Sequence, residues 1–311
     1  MRGKKTFIFY LNGKYLSENE AKIHCLDWGL HGYSVYDVSR TVNKATIFRL
    51  DEHIERFYNS LKCTEIDLNI TPEEMKQIHI EVMKRNLHLL EENDDLILGV
   101  RATPGPMYEK EKPTVYVYPR LISFSKHAKF FKIGTHIIVS SFRHVPTQCM
   151  DTKVKHDSRL FMHMADREVK RLDPESWALM MDIYGNLAEL TNANLFIVKK
   201  GAVITPSLRN CLPGTSRQVI LELCERLKIP AFERDIQLFD LYTADEAFQT
   251  ACSYCILPIS RVNTRYLWKQ VPGPITKRLT NTYSEEIGLD IAEQYLSHLS
   301  ELERSNISLT T

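Results

Sequence analysis

Short apolar runs and amphipathic stretches alternate along this chain. Phe7-Ile-Phe-Tyr-Leu11 is followed by Asn12-Gly13 and Lys14-Tyr-Leu16. Asn-Gly supplies the positive φ angles of a type I′ turn, so this pattern predicts a tight hairpin. A glycine loop, Asp27-Trp-Gly29-Leu-His-Gly32, leads into a strand carrying Tyr36 and Arg40. Asp51 is placed to cap a helix with Ile54, Phe57 and Leu61 on its inner face. Thr71-Pro-Glu-Glu74 combines an N-cap, an N1 proline and a capping-box glutamate, which predicts a helix to about Asn86. Strands are predicted over residues 96–102 and 114–118.

In the second half, residues 135–141 read as a strand. Met150-Asp-Thr-Lys-Val-Lys155-His-Asp-Ser-Arg-Leu160 is polar and turn-like, and runs into an amphipathic helix ending near Arg171. Leu160, Met164 and Leu172 fall on one stripe of that helix, joined by Phe161, Ala165 and Val169. Two hairpins are predicted, residues 178–183 with 187–190 and residues 194–198 with 202–205. A helix after Gly214 shows Val219, Ile220, Leu223 and Leu227 on one face. Residues 248–259 read as a single buried strand. Gly273-Pro-Ile-Thr276 opens another helix, a last helix is predicted over about 284–302, and residues 305–311 are expected to fray.

The alternation of helices and strands predicts a small α/β domain over residues 1–120, a linker at 121–131, and a larger α/β domain over 132–311. The 311 residues can bury one large core or two medium ones. A near balance of 40 basic and 39 acidic residues gives no field for nucleic acid, and no nucleic-acid partner is expected. The longest apolar runs, such as Phe7 to Leu11, are too short to span a membrane or form a signal-peptide core. Seven cysteines without framework spacing suit a reducing cytoplasm. Cys252-Ser-Tyr-Cys255 is a lone C-x-x-C, which reads more simply as thiols on a strand than as a metal or redox site; no metal is expected.

On residue chemistry alone, several positions stay open. Lys155 is a lysine at the mouth of a helix, a place where most lysines are solvated. Glu189 is a carboxylate beside an apolar strand. Tyr36 is either a core aromatic or a pocket wall, and Arg40 either meets a substrate carboxylate or sits in an ion pair. Gly214-Thr-Ser-Arg217 opens a helix, where free N–H groups and the helix dipole favour an anion. Arg217, early in that helix, is equally an ion-pair partner.

Taken together these stretches resemble the class IV, or fold type IV, pyridoxal-phosphate aminotransferases. That family includes branched-chain and D-amino-acid aminotransferases, (R)-selective amine transaminases and aminodeoxychorismate lyase. Phe48-Arg-Leu-Asp-Glu-His-Ile-Glu-Arg56 is similar to the family's "RLDEHIERL", Leu187-Ala-Glu189 through Asn194 to its "TEGSxxN", and Gly214-Thr-Ser-Arg217 to its "GITR". Lys155-His-Asp-Ser-Arg-Leu160 resembles the lyase run "KHLNRL", and Met150-Asp-Thr-Lys-Val-Lys155 resembles the transaminase run "AIDPTVK". Lys153 and Lys155 are both candidates for the reactive lysine, and the resemblance points to Lys155.

The resemblance implies two α/β domains with pyridoxal 5'-phosphate between them, a homodimer, and transfer of an amino group from a small-molecule donor to an oxo acid through a lysine imine. It gives Lys155 the imine and the proton transfer, and Glu189 the pyridine nitrogen. It gives the phosphate to Arg56, Gly214, Thr215, Ser216, Cys252 and Ser253, with Asn194 beside the cofactor. Tyr36, Arg40 and Arg159 are the implied substrate contacts. The chain departs from the pattern in three places. Thr250-Ala-Cys252-Ser253 stands where a threonine usually meets the phosphate, Arg159 replaces an aromatic, and Thr103-Pro104-Gly105 stands where D-amino-acid enzymes carry an arginine. The last argues against D-amino-acid specificity. A lyase of the aminodeoxychorismate type, or a catalytically weakened member acting as a binding protein, are the alternatives these features leave.

Overall fold

The computed structural model describes residues 5–109, 112–267 and 270–309. The described residues divide into two compact units: one runs to Ile122 and takes in Val154–Arg159, and the other comprises Ser123–Lys153 and the residues from Leu160 onward. The lysine stretch therefore packs with the first unit although the chain has already entered the second.

The first unit is built on a six-stranded antiparallel sheet of β1 (Ile8–Leu11), β2 (Lys14–Ser17), β3 (Val35–Val42), β4 (Thr46–Ile47), β5 (Leu96–Thr103) and β6 (Thr114–Leu121), in the order β2-β1-β6-β5-β3-β4. The Asn12-Gly13 turn takes φ of 43° and 85°, as its type requires. Helices α1 (Leu50–Cys63) and α2 (Pro72–Asn86) bury Ile54, Phe57, Leu61, Met75 and Val82 against Leu98, Val100, Val115 and Val117 of the sheet. Thr71 and Glu74 form the expected capping box of α2. Asp51 does not cap α1. The capping position is Arg49, in the left-handed region at φ 52°, and Asp51 pairs with Lys76.

The second unit opens with α3 (Phe124–Ala128) and α4 (Phe130–Ile133). The expected linker is thus mostly helical, and it is ordered because Phe124, Phe130 and Phe131 are buried. A nine-stranded mixed sheet follows, built from β7 (Thr135–Arg143), β8 (Trp177–Met181), β9 (Leu187–Leu190), β10 (Asn194–Lys199), β11 (Ala202–Thr205), β12 (Ala231–Glu233), β13 (Glu246–Ala251), β14 (Cys255–Val262) and β15 (Arg265–Tyr266). Both expected hairpins form. The run at 248–259 is two antiparallel strands, β13 and β14, joined by a turn at Cys252, Ser253 and Tyr254. The thiol of Cys252 therefore lies on a turn rather than within a strand.

Helix α5 (Leu160–Leu172) buries Met162, Ala165 and Val169, and the last two pack on Ile138, Ala178 and Met180. Leu160, Met164 and Leu172, expected on the inner stripe, are exposed. Small Ala165 and Val169 allow the closer approach to the sheet, so they define the buried face. The remaining helices are α6 (Thr215–Arg226), α7 (Leu238–Tyr242), α8 (Pro274–Ile287), α9 (Ile291–Leu296) and α10 (Glu301–Leu309). The single last helix expected from the sequence is broken at Gly288, which takes φ 64° as a left-handed C-cap, and restarts at Asp290, whose side chain accepts from the Glu293 N–H. The expected fraying begins no earlier than the end of α10; residues 310–311 lie outside the described residues. Among the described residues no helix is long and apolar enough to cross a membrane.

Candidate active site

In the first unit, residues 154–159 run beside the start of β3. The Tyr36 N–H donates to the Lys155 carbonyl at 2.9 Å, and the Lys155 N–H donates to Ser60 Oγ at 3.1 Å. Ser60 Oγ in turn donates to the Arg56 carbonyl on α1, so strand, lysine segment and helix are tied together. Lys155 Nζ sits 4.4 Å from the centroid of the Tyr36 ring, a cation–π distance. Among the described residues it has no ion-pair partner. Lys153 is different: its side chain is 56% exposed and pairs with Asp151 at 3.4 Å.

The same tyrosine gathers two further cations. Arg159 donates to the Tyr36 hydroxyl, and the Arg101 guanidinium lies 5.4 Å from the ring centroid. Arg101 is held by Asp157 through two hydrogen bonds of 2.5 and 2.8 Å. Arg56 is held likewise: its Nε and Nη2 donate to Asp37 at 2.7 and 2.8 Å, and His53 Nδ1 donates to the same carboxylate at 2.7 Å. Burial alone would raise the Asp37 pKa, but the Arg56 guanidinium and His53 outweigh it and hold the carboxyl well below the usual carboxylate range. Burial lowers the His53 pKa against the pull of Asp37. Arg40 does not reach outward. It is 1% exposed, lies 3.5 Å from Asp95 and donates to the Thr41 carbonyl, so the ion-pair reading describes it and the substrate reading is set aside.

In the second unit, Glu189 of β9 and Asn194 of β10 are brought side by side by the tight turn that pairs Leu190 with Ala193. Glu189 is buried. Its Oε2 accepts from the Leu212 N–H at 3.1 Å and from Asn194 Nδ2 at 3.3 Å, and His144 Nε2 lies 3.3 Å from its Oε1. Asn194 also donates to the Leu212 carbonyl at 2.9 Å, which pins the loop before α6. Gly214, at the N-cap of α6, has no room for a side chain: a Cβ there would lie 2.1 Å from Asn194 Oδ1. The N–H groups of Thr215 and Ser216 open the helix, where the first turn has no intrahelical acceptors. Thr250 on β13 is the register partner of Asn194, and its hydroxyl is buried without a hydrogen-bond partner. Cys252 and Ser253 lie on the turn that follows. Arg217 donates to Glu233 at 2.6 Å and to the Pro206 carbonyl, so its ion-pair reading describes it.

Sequence reasoning missed Asp37, His53, Asp157 and His144 as members of these clusters. Asp37 meets Arg56 across 19 residues, Arg101 meets Asp157 across 56 and His144 meets Glu189 across 45, so no local spacing announces these pairs.

The model of the family described as amino-transferase class IV matches residues 34–262. A putative branched-chain-amino-acid aminotransferase of Methanocaldococcus jannaschii is 31% identical over 280 residues, covering 89% of this chain and 95% of the relative. The crystal structure of a branched-chain aminotransferase from Thermoproteus uzoniensis with norvaline matches with a TM-score of 0.82 at 29% identity, over 95% of this chain and 99% of that one. A second crystal structure, of a branched-chain amino acid aminotransferase complexed with N-(5'-phosphopyridoxyl)-L-glutamate, matches with a TM-score of 0.81 at 27% identity, over 91% and 94%. The chain belongs to the class IV aminotransferase family and has its fold type IV architecture. It is a pyridoxal-phosphate-dependent transaminase, branched-chain aminotransferase-like, that moves an amino group between an amino acid or amine and an oxo acid.

Proposed function

We propose that this transaminase takes its amino group from branched-chain amino acids, with pyridoxal 5'-phosphate held covalently by Lys155. The carrying observation is the Lys155 amine over the Tyr36 ring, without a carboxylate partner among the described residues, while Lys153 is exposed and paired. The donor class is supported by the names of these similar proteins, all branched-chain aminotransferases.

The residues fit the cofactor on three counts. Glu189 is a buried carboxylate set by hydrogen-bond donors, suited to a ring nitrogen. The Thr250 hydroxyl is a buried donor without a partner, suited to a phosphate oxygen. Gly214 leaves the N–H groups of Thr215 and Ser216 unobstructed by a side chain. Bound there, the cofactor supplies a pyridine ring that accepts the electrons left when the substrate Cα loses its proton.

This chain's residues do the rest. The Lys155 amine carries the proton at the substrate Cα as general base. Glu189 holds a proton at the ring nitrogen, with Asn194 orienting its carboxylate. Arg56, fixed along its Nε–Nη2 edge by Asp37, adds a cation for the phosphate, with Cys252 and Ser253 on the turn after Thr250. Tyr36 gives the substrate an aromatic wall and Arg159 a cation for its carboxylate. We further infer a homodimer in the cytoplasm. Exposed Ile23, Leu26, Trp28 and Leu30 support the first, and seven free cysteines the second.

The test is the absorbance change of the cofactor-loaded protein on adding single amino donors without an acceptor. Leucine, isoleucine and valine are expected to convert the cofactor to its amine form. Conversion only by non-branched donors defeats the substrate reading, and multiple-turnover pyruvate release from aminodeoxychorismate without an acceptor would mean lyase chemistry instead.

A further inference from the structure

His144 follows directly after β7 and is 7% exposed. Its backbone N–H donates to the Met181 carbonyl at 2.8 Å, and its ring meets Phe161 edge-on with centroids 5.5 Å apart, so the imidazole is fixed from two sides. Nδ1 lies 3.1 Å from the Val145 carbonyl. A carbonyl oxygen only accepts, so Nδ1 carries a proton. Nε2 faces Glu189 Oε1 at 3.3 Å. With Nδ1–H already committed, a neutral ring would turn a lone pair toward that oxygen, so a proton must stand between them. The other oxygen, Oε2, takes two N–H donors, from Leu212 and Asn194, which is the environment of a carboxylate. That geometry sets Nε2 where an N–H would donate to Oε1. His144 also lines a cavity of about 450 Å³ with Val145, Pro146, Asp182, Tyr184 and Asn210.

We propose that His144 is a positioning residue for Glu189: an imidazolium whose Nε2–H fixes the carboxylate and offsets its charge toward the cofactor's ring nitrogen. The consequence is specific. A lone buried glutamate would hold the ring-nitrogen proton tightly, whereas a glutamate already paired with a cation holds it less tightly, so the electron-accepting strength of the ring is set by a residue behind the one that touches it. The inference rests on the assignment of Glu189 to the ring nitrogen, and its test separates the two.

The first arm needs no cofactor. Nitrogen NMR on protein with isotopically labelled histidine, at neutral pH, reads the protonation of each ring; the His144 signal is identified by its loss in His144→Gln. Wild type is expected to show both His144 nitrogens protonated, and Glu189→Gln to convert the ring to the neutral form protonated at Nδ1. A neutral His144 in wild type, or a signal that Glu189→Gln leaves in place, overturns the pairing. The second arm uses holoenzyme loaded with cofactor labelled at the ring nitrogen. His144→Gln keeps an N–H donor at the position of Nε2 but removes the charge, and is expected to move the ring-nitrogen signal further toward the protonated form. No movement overturns the coupling. If Glu189→Gln also leaves that signal unmoved, the Glu189 assignment fails with it, while the cofactor-free spectra still decide the pairing.

Discussion

Around Lys155 the cations are held by anions: Arg56 by Asp37, and Arg101 by Asp157. Around Glu189 a single anion is held by a backbone N–H, a side-chain amide and an imidazole. The first arrangement fixes guanidinium groups in place beside carboxylates, and for the largely buried Arg56–Asp37 pair removing one partner costs about 3–5 kcal/mol. The second fixes a carboxylate through directional donors. Against the paired arginines, Lys155 has no anionic partner among the described residues and lies over the Tyr36 ring instead.

The largest effect should come from that lysine. Lys155→Ala is expected to abolish turnover and covalent retention of the cofactor, while Lys153→Ala leaves both largely intact. Borohydride reduction followed by peptide mapping checks this, and finding the cofactor on Lys153 breaks the contrast at its centre. On the other side, Glu189→Gln keeps the shape and the Asn194 and Leu212 neighbours but removes the charge. Removing a preorganised charge partner slows the step it serves by about a hundredfold or more, so Cα proton removal, read with deuterated substrate, should fall on that scale. A rate near that of wild type would leave Glu189 as a structural residue.

The two units should also share an acid sensitivity that adds to the one His53 and Asp37 carry. Burial pushes His79 on α2 down to about 4, and His127 on α3 likewise to about 4. Both are neutral when folded and must be charged at lower pH. Their stabilising contribution is therefore present above the unfolded histidine value and is lost as pH falls toward 4. For His79 this amounts to roughly 3 kcal/mol across that window. Denaturant unfolding at stepped pH should show the loss, and His79→Gln should flatten it; an unchanged slope in that variant would assign the sensitivity elsewhere. The smallest effect concerns Cys252. A thiol is a weak donor where a threonine would serve the phosphate. Cys252→Thr is expected to retain cofactor about tenfold better through dialysis, a charge-assisted hydrogen bond being worth roughly 1.5–3 kcal/mol. Equal retention would mean that Thr250 already fills the role.

What the sequence revealed was local. The Asn12-Gly13 hairpin and the Thr71 capping box are complete within a few residues, and the short turn from Glu189 to Asn194 carries its own motif. What it concealed depends on distant neighbours. The turn dividing β13 from β14 lacks glycine, proline and asparagine, and Cys255 takes φ 61°, a conformation that thiol side chains do not advertise. The buried face of α5 was decided by small residues fitting the sheet rather than by the largest apolar ones. His144 meets Glu189 across 45 residues, and Asp37 meets Arg56 across 19, so neither pairing leaves a spacing signature.

The return of residues 154–159 to the first unit has a consequence for biosynthesis. A ribosome that has released the six strands of the first sheet has not yet released the segment that lies along β3, so that unit is completed only after Arg159 emerges, with part of the second already made. For the same reason a fragment ending at Ile122 would lack the lysine that packs in it. Anyone dividing this enzyme for expression, labelling or circular permutation has to treat residues 154–159 as belonging to a unit that the chain leaves and re-enters.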